Sequence, residues 1–170
     1  HKIDSAILTT QSPQMVSQFV VEALSGLLPC DMSRVISIDP IDDTVEQLAI
    51  YPPDSGSAEK LIREIIGIYG IPELVRRGET LYYEDIPNDE QFSAEAKQLF
   101  TSGGASSLVI APLFANNQLI GALDMASAHP FAFTPSHLDI LREIAAQLAI
   151  ALHKARLDEQ VREHADATIE

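Results

Sequence analysis

Two long apolar runs, residues 106–115 and 118–127, stand on either side of Asn116-Asn117, and no other feature narrows the fold as much. Asparagine tolerates the positive φ that a two-residue hairpin turn demands, so the runs predict a pair of antiparallel strands. With Ala115 facing Gln118, alternation predicts Leu108, Ile110, Pro112 and Phe114 on one face with Leu119, Gly121, Leu123 and Met125. The other face then carries Ser107, Val109, Ala111 and Leu113 with Ile120, Ala122, Asp124 and Ala126. Both faces are mostly apolar, so neither can meet bulk water and the sheet must be covered on both sides.

The cover comes from helices. Ser12-Pro13 is a helix start, with a hydroxyl to cap orphan N–H groups and a proline whose missing N–H costs nothing at the first helical position. Met15, Phe19, Val20, Ala23, Leu24, Leu27 and Leu28 then repeat at three- and four-residue spacing over residues 13–28, before Pro29. Residues 2–10 read as a short lead-in helix. Residues 34–39 and 45–51 read as a hairpin, 58–68 as a helix broken by Gly67 and Gly70, and 80–84 as β-prone. The pattern at 71–79 is ambiguous, and Ser93 caps a short helix at 94–101. Thr134-Pro135 opens a long helix whose Leu138, Leu141, Ala145, Leu148, Leu152 and Ala155 form a coiled-coil-like stripe. From residue 135 to 164 it would be about 45 Å long, against a radius of gyration of roughly 15 Å for the globule. Its polar end is expected to project, as a dimer-forming connector or as a frayed surface helix. Hairpins between neighbouring strands make the sheet antiparallel and the fold class α+β.

Composition limits the function. A chain of 170 residues is one domain with appendages, and a net charge of −14 repels phosphate backbones and anionic lipid, so neither nucleic acid nor membrane is an expected partner. The single cysteine, Cys30, excludes an internal disulfide and any cycle needing two thiols, in keeping with a cytoplasmic location. No apolar run approaches the roughly 20 residues that span a bilayer. Because the first residue is His1, the chain is expected to be part of a longer polypeptide. Asp39, Asp42, Asp43, Glu46, Asp54 and Glu59 follow one another with no basic residue among them. Clustered carboxylates suit a divalent cation, but this spacing lacks the alternation, central glycine and closing glutamate of an EF-hand loop. They are read as a solvated loop, with no metal.

The order of elements, together with several phrases, resembles the GAF domain. The matching stretches are 118–127 (QLIGALDMAS), Phe133-Thr134-Pro135 and 141–152 (LREIAAQLAIAL). Leu28-Pro29-Cys30-Asp31 before the first strand and 85–92 (DIPNDEQF) after the third also match. The resemblance implies a PAS-related fold, a central antiparallel sheet with the terminal helices on one face and a ligand pocket on the other. It implies a regulatory module and not an enzyme, as in sensor histidine kinases, cyclases and phosphodiesterases. Residues 1–11 would be a lead-in helix, 12–157 the GAF domain, and 158–170 the end of a connector helix.

Within that family, covalent bilin attachment uses a pocket cysteine often followed by histidine, whereas Cys30 precedes the first strand and is followed by Asp31. Cyclic-nucleotide binders carry an N-K…F-x-x-x-D-E pattern, which Asn116-Asn117 and His137-Leu138 do not match. His129, His137, His153 and His164 lie around or on the last helix, not where a haem ligand is expected. Bilin, haem and cyclic nucleotide are therefore all disfavoured, and no cofactor is expected. Methionine sulfoxide reductases of this fold need several cysteines. No catalytic constellation is visible. Candidate pocket residues are Tyr69, Tyr83, Asp85, Phe92, Phe100 and Ser107, an apolar wall with a few oriented polar groups. Phe92 and Phe100 can equally be core, and Asp85 a cap before Pro87. The expected partners are an unidentified small-molecule ligand and a second copy, a homodimer formed through the terminal helices with Leu138, Leu141, Ala145, Leu148 and Leu152 on the dimer or signalling helix. The alternative is a ligandless dimerisation module.

Overall fold

The computed structural model describes residues 12–55 and 58–169, so the expected lead-in helix at residues 2–10 lies outside the described residues. Helix α1 (Pro13–Leu27) leads into strands β1 (Met32–Ile38) and β2 (Val45–Tyr51), followed by helices α2 (Ala58–Tyr69) and α3 (Glu73–Arg76) and strand β3 (Leu81–Tyr83). A 3-10 turn (Ile86–Asn88), helix α4 (Ala94–Ser102), strands β4 (Ser107–Ala115) and β5 (Gln118–Ser127), and helix α5 (Pro135–Ile169) complete the chain. The five strands form one antiparallel sheet in the order β2-β1-β5-β4-β3. The fold is α+β, as the sequence predicts.

Local chemistry sets the element ends. Ser12 Oγ accepts the Met15 N–H at 3.5 Å and Ser93 Oγ the Ala96 N–H at 3.1 Å. Thr134 Oγ1 accepts the His137 N–H while His137 Nδ1 accepts the Thr134 N–H, a reciprocal cap in which imidazole takes the usual place of glutamate. Gly67 does not break α2, which ends at Gly70, where φ is +73°. The ambiguous stretch at 71–79 contains α3.

Asn116 and Asn117 adopt φ values of 51° and 59°, and Ala115 faces Gln118 as the turn predicts. Beyond Phe114 and Leu119, however, the register shifts: Leu113 pairs with Gly121, and Ile120 is left over. A single extra residue exchanges the two faces of everything that follows it on β5. Leu108 and Ile110 therefore share a face with Ala122, Asp124 and Ala126, while Val109, Ala111 and Leu113 go with Leu123 and Met125, reversing the predicted partition.

The second group, with Val35, packs against α1 and α5 in one continuous core cluster. Leu141, Ala145, Leu148, Leu152 and Ala155 are all buried in that region. The stripe on the helix named for dimerisation or signalling covers the domain's own sheet, with Leu138 partly buried beside it. Among the described residues, the large apolar side chains that α5 leaves exposed are Ile140, Ile150, Leu157 and Val161. On the opposite face of the sheet the core divides into two smaller clusters, around Phe92, Phe100 and Leu108 and around Ile36, Ile71 and Val75. At Gly121 an added Cβ would run into the Ile36 carbonyl oxygen of β1, so only glycine allows the two backbones to approach so closely.

Candidate functional site

Between those two clusters lies a half-open cavity of about 610 Å³. Its floor is the sheet face of Arg34, Ile36, Leu108, Ile110, Ala122 and Asp124, and its walls come from the end of α2 and the segment that follows it. The volume falls in the usual range of small-molecule sites, about 300–1,000 Å³. One end is aromatic. The Phe92 ring lies 4.9 Å from Tyr83, 5.2 Å from Phe100 and 5.7 Å from Tyr69, centroid to centroid. The other end is aliphatic, formed by Ile38, Ile71, Val75 and Leu81.

In the middle of the floor Arg34 Nε donates to Asp124 Oδ2 at 2.7 Å, with the two side chains only 7% and 4% exposed. The residues face each other across β1 and β5, and the bulge in the β4–β5 pair puts Asp124 on the same face as Leu108 and Ile110. Burial pushes the Asp124 carboxyl above its ordinary value, and the Arg34 charge and hydrogen bond pull it back. Asp124 Oδ1 is buried and accepts no hydrogen bond. An acceptor left in that state costs about 1–3 kcal/mol, more when charged.

Burial, with the nearby Asp89 charge, also raises the Tyr83 phenol and keeps it protonated at neutral pH. Tyr69 is different. Its hydroxyl accepts the Ser93 N–H at 2.9 Å and lies 3.3 Å from Ser93 Oγ, and those contacts lower its pKa. They tie the end of α2 to the start of α4 across the cavity rim.

Of the six candidate pocket residues, Tyr69, Tyr83, Phe92 and Phe100 line this cavity. Phe92 and Phe100 are also core residues of their cluster. Asp85 and Ser107 are not among the lining residues. Asp85 Oδ2 accepts from Asn88 Nδ2 at 2.9 Å within the 3-10 turn, and Ser107, on the face of β4 turned to α5, donates to the His129 carbonyl at 2.7 Å. Arg34 and Asp124 also line the cavity and are not among those candidates. Their signal was present: each is the only charge in an otherwise uncharged strand, MSRVISI and QLIGALDMAS.

Other candidates lie elsewhere. Cys30 packs on the α1–α5 side of the sheet, where burial raises its thiol pKa. His153 Nε2 meets the Asn116 side chain at 3.2 Å. In the acidic run, Asp39 and Asp42 accept the Ile41 and Thr44 N–H groups, and Asp43 pairs with Arg76 at 2.7 Å. Among the described residues no His, Cys, Asp and Glu side chains group as a metal site would require.

A cavity on one face of a five-stranded antiparallel sheet, with terminal helices on the other, is the arrangement that the sequence resemblance implies. The GAF domain family model matches residues 12–152, and the chain belongs to that family. Comparison with curated proteins finds no match. Among solved structures, the chain is similar to a domain ascribed to a two-component sensor histidine kinase of Sinorhizobium meliloti, at 24% identity over 90% of this chain and 99% of that one, TM-score 0.71. It is similar to the GAF domain of the cyanobacteriochrome TePixJ at 18% identity, covering 89% and 95% of the two chains, TM-score 0.70. The free methionine-R-sulfoxide reductase of Neisseria meningitidis, solved with its substrate, matches at 17% identity over 92% and 87%, TM-score 0.68.

These likenesses establish the fold. They also correct one expectation. On the sequence, bilin, haem and cyclic nucleotide are disfavoured and no cofactor is expected, but cyanobacteriochrome and bacteriophytochrome structures share this architecture. The position of one cysteine therefore does not exclude a bilin.

Proposed function

We propose that this GAF domain is a sensory and regulatory module of a larger signal-transduction protein, such as a cytoplasmic sensor histidine kinase. In this reading residues 12–157 bind a small molecule and the end of α5, residues 158–170, connects to an effector that carries the activity. The observation that supports it is the cavity of about 610 Å³, with a buried ion pair in its floor and an acceptor oxygen left without a partner. A site maintained only for packing would gain stability by filling with apolar side chains. Native mass spectrometry and thermal-shift screening of the 170-residue chain against small metabolites test the reading. A bound species that raises the melting temperature is expected. A screen in which nothing binds, on protein whose melting shows it folded, would reject ligand sensing.

A second reading, a ligandless dimerisation module, is favoured by the exposed Ile140, Ile150, Leu157 and Val161 on α5. Sedimentation equilibrium separates it from the first. A strict monomer at high concentration would reject it, whereas a dimer unaffected by cavity-filling substitutions would support it.

A further inference from the structure

Three tyrosines line the cavity, and two of them use their hydroxyls to hold the fold. Tyr82 Oη accepts the Phe133 N–H at 3.0 Å on the α5 side of the sheet, and Tyr69 Oη accepts the Ser93 N–H at 2.9 Å at the rim. Tyr83 differs. It pairs with Leu108 across β3 and β4, so its side chain stands on the same face as the cavity floor. Its ring is half-buried and meets Phe92 edge to face. Among the described residues, however, its hydroxyl makes no hydrogen bond, and it is not one of the unpartnered oxygens shut off from solvent. A buried tyrosine hydroxyl usually finds a partner. Burial keeps this phenol protonated, so it can donate, and the nearby Asp89 charge opposes an anion beside it.

Building on the reading of this cavity as a ligand site, we propose that Tyr83 selects the ligand: a flat, uncharged molecule whose carbonyl oxygen accepts a hydrogen bond from the Tyr83 hydroxyl. The body of the ligand lies on the sheet face over Leu108 and Ile110, against the aromatic end of the cavity. A flat ring suits that end, because aromatic groups pack well in offset and edge contacts. The hydroxyl then fixes which way round the ligand lies, the role of a single oriented polar group in a mostly apolar wall. Neither Tyr69 nor Tyr82 can take that role without giving up a contact that holds the fold.

The test compares three probes of one shape, 2-acetylnaphthalene, 2-isopropenylnaphthalene and 2-naphthoate, which present a carbonyl, its hydrocarbon counterpart and a carboxylate. Equilibrium dialysis at neutral pH measures each against the 170-residue chain and against its Tyr83→Phe variant. That substitution keeps the ring on Phe92 and removes only a hydroxyl without a partner among the described residues, so the variant should melt as the parent does. The affinity of the ketone relative to the hydrocarbon is expected to fall about fivefold in Tyr83→Phe, the worth of one neutral hydrogen bond, while the hydrocarbon binds both proteins alike. The carboxylate should bind the parent more weakly than the ketone does. A ratio unchanged by the substitution, or an equal loss for all three probes, would overturn Tyr83 as the selecting donor and leave the cavity a ligand site. Tightest binding by the carboxylate would overturn the uncharged class. Failure of all three to bind the folded chain would overturn the proposal, and the ligand-site reading would then stand or fall on the metabolite screen alone.

Discussion

The two faces of the sheet are built from the same strands and solve different problems. Towards α1 and α5, Val35, Val109, Leu113, Leu123 and Met125 meet Leu24, Leu141, Leu148 and Leu152 in one uninterrupted apolar cluster. Towards α2, α3 and α4, Arg34 and Asp124 take positions where the first face would place two more aliphatic side chains, and the core splits around them. Continuity on one side supplies the stability that the interruption on the other side lowers. A fold of this kind tolerates a cavity on one face because the other face is filled.

Substitutions can break that contrast or sharpen it. The largest effect expected is for Arg34→Ala, which removes the buried partner of Asp124, at a cost of about 3–5 kcal/mol in urea unfolding. A loss below about 1 kcal/mol would mean that water already reaches the pair. Leu148→Ala, on the filled face, should cost about 2–5 kcal/mol, with the cavity it leaves adding to the lost transfer energy. Ala122→Leu, on the cavity side, should act in the opposite direction: filling empty space, it is expected to gain about 0.5–2 kcal/mol while abolishing probe binding. A destabilised variant would show that the space is narrower than the structure gives. Ile150→Lys, on the exposed side of α5, should change the unfolding free energy of the monomer by no more than about 0.5 kcal/mol.

The pH dependence follows from Asp124. Its carboxyl is raised on folding, mainly by burial, so above the ordinary carboxyl range the native state holds a proton that the unfolded chain has released. Stability from this group is present at low pH and lost as pH rises through the raised value. A variant in which Arg34→Met and Asp124→Leu replace the pair should therefore gain on the parent protein as pH rises above the ordinary carboxyl range. Parallel stability curves for the two would show that Asp124 titrates as it does in the unfolded chain.

Most of the fold was legible in the sequence because its signals are local. Asn116-Asn117 specified the hairpin, and Ser12-Pro13, Ser93 and Thr134-Pro135 marked helix starts through their own side-chain chemistry. The bulge after Phe114 was not legible, since both faces of the hairpin are apolar and a slip of one residue leaves no polar residue conspicuously misplaced except Asp124. The ion pair escaped for a related reason. It joins residues 90 apart in sequence, and nothing local says that β1 lies beside β5. The stripe of α5 is legible as a stripe, but the sequence does not say which surface it covers, because apolar residues occupy more than one side of that helix.

Helix α5 runs for 35 residues, and among the described residues its last buried side chain is Ala155. Residues 156–169 extend about 21 Å further at 1.5 Å per residue. That geometry is a lever with its fulcrum at the edge of the core. A tilt of only about 5° in the packed half would carry the far end through about 2 Å, on the scale of the 1–2 Å helix shifts that switch other proteins. A shift in the strands too small to alter their hydrogen bonding would thus be magnified at the far end.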